Sequence, residues 1–373
     1  MLIFLSAALM ILFYGRINIS DVPFSDIPDI QNYRLMAEAA PGLDTTVSRN
    51  FGYRILSPYI AGLMPFDIDT NFYILTVLLS LIIPFVFFRF LKIYGLKNDT
   101  SFFLTILFLA GRHTFGFPVW DFYDLHDLIT HTLILLFLIN LKKNNFILMG
   151  VILSVGVINR ETILFLVPAA LSYYLFMIKS KKYAAGLILS VIPALILLFL
   201  IRSLVITESV TEKNILYSFN KLRFDESNKL FNPVTYYRII NTFIPLTLIP
   251  FVFYKTSKTF FMNNLHFLVL ILTFLFSCFL AGDTERLVVP VFPVFFLLLG
   301  IIFEKISFNE LKARIIVLSL CIMAIPHHIF FRFRLPTRNW KVALSMIALL
   351  TVTAYFYKLK KDRSDVIDNN TDI

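Results

Sequence analysis

Little in this chain suits a soluble enzyme. Of 373 residues only 2 are cysteine and 2 tryptophan, and 24 acids face 34 Lys and Arg. Cys278 and Cys321 both lie inside apolar runs, which excludes a disulfide framework and fits buried free thiols. There is no Walker A loop, no glycine-rich dinucleotide fingerprint, no His-Glu-x-x-His zinc motif and no Gly-x-Ser-x-Gly elbow. Nucleotide-driven, zinc-peptidase and serine-hydrolase chemistry therefore have no foothold. No internal repeat has a clear period, and no polar stretch is long enough for a separate soluble domain. The net charge of +10 lies in short loops beside apolar runs, where anionic lipid accounts for it. No nucleic-acid partner is expected.

What is abundant is apolar: 58% of the residues, with 42 phenylalanines, against roughly 45–50% apolar residues in soluble domains. Runs of about 17–25 apolar residues cross a bilayer as helices, because lipid offers a bare backbone no hydrogen bonds. The expected fold is an all-α polytopic membrane protein with about twelve transmembrane helices (range roughly 10–13). The spans read at roughly 2–15, 72–91, 101–118, 128–141, 145–158, 162–178, 184–205, 236–254, 264–281, 287–303, 315–331 and 341–357. The start of the chain lacks a basic region and a clear cleavage site, so 2–15 reads as a retained span rather than a signal peptide. Residues 1–357 form one expected membrane domain, with long loops at 16–71 and 206–235. The polar tail 358–373 reads as disordered.

The breaks between spans are of two alternating kinds. One kind is lysine-rich: Lys92/Lys97, Lys142/Lys143, Lys179/Lys181/Lys182, Lys255/Lys258, Lys305/Lys312 and Lys358/Lys360/Lys361. The other mixes arginine with carboxylates. A chain threaded back and forth puts alternate breaks on opposite faces. The lysine face is expected in the cytoplasm, because short lysine loops stay inside. The Asp/Arg face is then exterior, at a plasma or inner membrane.

Four exterior breaks carry candidate chemistry. In the first loop Asp29, Tyr33 and Ala37 recur at i, i+4 and i+8, on one side of a helix, with Asp26 a turn earlier and Arg54 downstream. A carboxylate there can take a proton from a hydroxyl, or it can simply cap a surface helix. The second break holds Asp121, Asp124, His126 and Asp127. Three acids and a histidine invite a metal reading, and a solvated helix start is the plainer one. The third, Arg160-Glu161, sits between two apolar spans with almost no loop. A charge there is costly unless paired or wet. The fourth is Asp283, Glu285 and Arg286, followed by Pro290 and Pro293.

These patches resemble the GT-C superfamily of membrane glycosyltransferases, mannosyltransferase-like members included. The Asp29/Tyr33/Ala37 spacing, Arg286 followed by Pro290 and Pro293, and the Arg160-Glu161 pair of bacterial relatives carry the likeness. Ile30 stands where many members have glutamate, so Asp26 and Asp29 both remain candidate bases. The resemblance implies inverting transfer of a sugar from a polyprenyl-phosphate donor to a glycan or lipid acceptor on the exterior face. Asp29 or Asp26 would be catalytic. Tyr33, Arg54, Asp121, Asp124, Arg160, Glu161, Asp283, Glu285 and Arg286 would bind substrate, with Arg160 and Arg286 on the leaving phosphate. A helix over 26–48 would close on the donor headgroup. No cofactor is expected, a divalent cation being the one candidate. The rival readings are a polysaccharide polymerase or ligase and a multi-pass transporter or flippase of lipid-linked saccharides.

Overall fold

A computed structural model describes residues 1–19, 28–44, 46–205, 232–280, 284–323 and 338–362. Among them every regular element is helical and there is no strand. The helices that position the site are α1 (Leu2–Tyr14), α2 (Pro28–Ala39), α3 (Leu56–Gly62), α4 (Ile68–Ile93), α5 (Asn98–Leu109), α6 (Leu125–Lys142), α7 (Phe146–Asn159), α8 (Lys181–Leu204), α9 (Pro233–Asn241), α10 (Leu265–Leu280), α11 (Phe292–Lys305) and α12 (Arg338–Asp362).

Among the described residues five helices are long and apolar enough to cross a membrane, or seven if each of two bent pairs counts as one span. This is the makeup of a multi-pass membrane protein. Among the described residues twelve spans are not reached on length alone, and part of the span expected at 315–331 lies outside them. Leu2–Tyr14, Phe146–Asn159 and Glu161–Met177 are apolar but shorter than 18 residues. The run expected at 101–118 bends by 68° between Leu109 and Arg112. The run expected at 236–254 ends as α9 at Asn241 and resumes only at Ile249–Val252. Pro245 and Pro250 lie in that stretch, and proline removes a helix donor and clashes with the preceding turn.

Burial separates centre from periphery. The apolar windows of Phe122–Lys142 and Thr284–Lys305 are 89% and 83% buried, against 28% in α8 and α12. The first two thus form the middle of the bundle. Around them Phe87, Phe108, Phe292 and Phe296 interlock with ring centroids 4.8–6.4 Å apart. On α8 the outward residues Leu189, Ile196 and Phe199 are more than half exposed. An apolar face of this kind suits lipid rather than water.

The two kinds of break segregate to opposite ends. α4 begins beside Arg34 and Tyr123 through Asp69, and ends at Lys92, whose ammonium donates to the Leu96 carbonyl. α6 begins at Asp124 and Asp127 and ends at Lys142, which lies over the Tyr94 ring. Near the same end the Lys97 amide donates to Glu304 at 2.6 Å, and Lys360 donates to the Val252 carbonyl at 2.8 Å. At 1.5 Å per residue, the 26 residues of α4 hold the two ends about 39 Å apart.

The first loop packs as a small helical cap. α2 turns Ile30, Tyr33, Met36 and Ala37 inward, the spacing of a buried helical stripe. It ends at Ala39, so the helix expected over 26–48 is shorter than that, and Pro41 cannot continue it. α3 crosses it so closely that a Cβ on Gly62 would run into the Ala37 carbonyl. The Asn71 amide ties the end of α3 to α4 by donating to the carbonyls of Ala61 and Phe66 at 2.8 and 2.9 Å.

Candidate functional site

Arg286 is the hub of the acidic end. It lies on a five-residue helix, Thr284–Val288, leading into α11, and its side chain is 13% exposed. Nη1 donates to Asp29 Oδ2 at 2.9 Å, Nη2 to Asp124 Oδ1 at 2.8 Å, and Nε to Asp127 Oδ2 at 2.7 Å. Nη2 also stands 2.7 Å from His126 Nε2. A guanidinium only donates, so Nε2 accepts and the neutral ring carries its proton on Nδ1. The other Asp127 oxygen accepts from Arg160 Nη1 at 2.5 Å. Four segments far apart in the chain thus meet around Arg286 and Asp127.

Local structure explains how each group arrives. Asp124 and Asp127 are three residues apart at the head of α6, so they share a face. Arg160 follows the last turn of α7 with an extended backbone, which turns its side chain back into the bundle. The preceding Asn159 is anchored by donating to the His126 carbonyl and Thr130 Oγ1, at 2.8 and 2.9 Å. On α2, Tyr33 sits one turn beyond Asp29. Its hydroxyl accepts from Arg54 Nη1 at 2.8 Å and lies 3.5 Å from His126 Nε2. Burial, the largest influence, pushes the Tyr33 phenol up to about 12, so it stays protonated.

Some groups are left over. Asp121 Oδ1, Arg54 Nε and Arg160 Nε are buried and have no hydrogen-bond partner among the described residues. Asp121 feels the charges of Arg286, Asp29 and Asp127, and burial drives its carboxyl up to about 7. Glu161 lies within electrostatic reach of Arg54. Fully ionised, Asp29, Asp121, Asp124, Asp127 and Glu161 outnumber Arg54, Arg160 and Arg286 by two charges. Of these acids Asp121, Asp124 and Asp127 are buried, and carboxylates gathered there call for protons or cations.

The structure therefore brings Asp29, Tyr33, Arg54, Asp121, Asp124, Arg160 and Arg286 near one another, with Glu161 close to Arg54. Asp26 and Asp283 lie outside the described residues. Glu285 stands 3.8 Å from Arg238 Nε and within electrostatic reach of Arg112. His126 and Asp127 are central, and the sequence reading had not placed them among the substrate-binding residues. The signal was the i, i+3 spacing of Asp124 and Asp127.

Beside Arg238 lies an apolar groove of about 530 Å³ between α9 and α12, lined by Tyr236, Tyr237, Ile240, Leu349 and Leu350 among others.

No protein-family model matches the chain, and no curated protein matches it significantly in sequence.

Proposed function

We propose that the chain is an inverting membrane glycosyltransferase that moves a sugar from a polyprenyl-phosphate carrier to a glycan or lipid acceptor on the exterior face. The observation that carries this reading is the meeting of Asp29, Arg160 and Arg286, from positions up to 257 residues apart, in one buried charged cluster. Charges collected at such depth are functional by default.

Asp29 is the more exposed acid of the Arg286 hub, with 29% of its side chain accessible, against 2% for Asp124 and 6% for Asp127. That suits a base meeting a substrate, and Asp26 remains the alternative. The acceptor hydroxyl gives its proton to the carboxylate while its oxygen attacks the anomeric carbon. The bond from that carbon to the phosphate oxygen breaks, and the polyprenyl phosphate leaves with the electron pair. Charge grows on the leaving phosphate, so donors placed there favour the transition state. The guanidinium of Arg286 already serves carboxylates, so Arg160 and Arg54, each with an Nε donor lacking a partner, are better placed for the phosphate than Arg286. The apolar groove beside Arg238 is of a kind that takes a lipid chain.

The test is transfer by purified protein in nanodiscs, supplied with a panel of radiolabelled polyprenyl-phosphate sugars and lipid-extracted acceptors. The expected result is a labelled product with one donor, abolished by Asp29→Asn. Absence of product with every donor, or full activity in Asp29→Asn and Asp26→Asn alike, retires the assignment.

A further inference from the structure

The middle of the hub has the composition of a cation site. One ligand atom each from Asp124, His126 and Asp127 lie within 4.8 Å of one another, and all three residues are buried. Ligands of one cation bonded at about 2.1–2.5 Å stand at most about 5 Å apart. Each of these residues bonds the Arg286 guanidinium, which thus occupies the place of a positive ion.

A second observation points the same way. Asp121 is 6% exposed, its Oδ1 has no partner, and its charge acts on Arg286, Asp29 and Asp127 from beside the cluster. A buried carboxylate oxygen without a donor is costly. One guanidinium cannot reach it while holding Asp29, Asp124 and Asp127.

We propose that Asp124, His126 and Asp127 form a site for one divalent cation, which takes the place of the Arg286 guanidinium, with the buried Asp121 carboxylate adding its charge from beside them. Carboxylates with a single imidazole suit Mn²⁺ better than a soft, thiolate-seeking metal. The His126 nitrogen that now accepts from Arg286 is the one offered to the metal, so the ring needs no change of tautomer. Arg286, displaced from Asp124 and Asp127, is then available to an anionic substrate. The cation and Arg286 compete for the same acids, which gives the proposal a signature of its own. It stands independently of sugar transfer.

The experiment is Mn²⁺ titration of the chelator-stripped full-length protein in detergent, followed by electron paramagnetic resonance of the free ion. Wild type is expected to take up one Mn²⁺ per chain, with nitrogen coupling from one imidazole in the bound spectrum. Asp124→Asn and Asp121→Asn are expected to weaken binding at least about tenfold. Arg286→Gln is expected to tighten it, because the competitor is gone. Lack of stoichiometric uptake by wild type at millimolar Mn²⁺ overturns the proposal without recourse to any variant. Binding unchanged in Asp121→Asn, or weakened in a helical, monodisperse Arg286→Gln protein, also overturns it. Mn²⁺ uptake by a protein that transfers no sugar leaves the cation site standing and removes the transferase reading; transfer without Mn²⁺ uptake does the reverse.

Discussion

Arg286 Nε lies 2.7 Å from Asp127 Oδ2, joining two residues 159 positions apart. Asp127 is shared, since its other oxygen takes Arg160. The two arginines are therefore held in register by one carboxylate, and neither can move without disturbing the other.

Removing the hub should damage stability as well as chemistry. Arg286→Ala leaves Asp29, Asp124 and Asp127 without their shared cation, and breaking a buried pair costs about 3–5 kcal/mol. Thermal unfolding in detergent should show a marked drop in melting temperature. Arg286→Ala combined with Asp127→Asn should lose less than the sum of the two single changes. Strict additivity would show that the two residues are not coupled.

Asp29→Asn should behave differently. Its side chain is partly exposed and Arg286 keeps its other acceptors, so the melting temperature should change little. Transfer should fall by at least about a hundredfold, the scale of a lost general base. A melting shift as large as that of Arg286→Ala would make Asp29 a structural group.

Tyr33→Phe keeps the ring packed against Phe51 and His126 at 5.5 and 5.0 Å between centroids. It removes only the hydroxyl that Arg54 bonds. The expected cost is about 1 kcal/mol of stability, with weaker donor binding read as a raised KM. An unchanged KM would mean that Arg54 does not depend on Tyr33 for its placement.

Gly62→Ala tests the cap formed by the first loop. The added methyl meets the Ala37 carbonyl and the Ala40 side chain. Overpacking of this sort costs about 1–3 kcal/mol, and it pushes on the helix that carries Asp29 and Tyr33. Hydrogen exchange should rise across 28–39 while α6 keeps its protection. Unaltered exchange there would show that α3 does not hold α2 in place.

Asp67 caps α4, its carboxylate accepting from the Thr70 backbone amide at 2.9 Å. The hydrogen bonds from Thr70 hold its carboxyl below the usual range. A depressed acid stabilises the fold above its ordinary value and loses that effect as pH falls through the folded value. Asp67→Ala should therefore lower the melting temperature at neutral pH and begin to converge on wild type as the pH falls below about 3.8. A constant offset down to pH 2 would assign the loss to something other than the ionised cap.

Much of this site was legible because burying charge in an apolar bundle is expensive. Arg160-Glu161 and Arg286 at the mouths of apolar runs could only be tolerated by meeting partners, and four acids stood in the matching breaks. The helical face of Asp29 and Tyr33 followed from their spacing alone. Direction within a short helix was not legible: Glu285 and Arg286 are neighbours, yet one serves Arg238 and the other the hub. Nor was the choice of partner. A sequence shows that Arg286 needs an anion without saying whether that anion is a phosphate or three aspartates. Span counting failed where helices break at Gly111 and between Asn241 and Ile249, because hydropathy averages across a bend.

The four segments at the hub also impose an order on synthesis. Asp29, Asp124, Asp127 and Arg160 all leave the ribosome well before Arg286. Until that residue arrives, three carboxylates must stay hydrated or bind protons in a half-built bundle. A nascent chain halted before the Thr284–Val288 helix should therefore engage membrane chaperones and quality-control proteases. One extended through α11 should escape them.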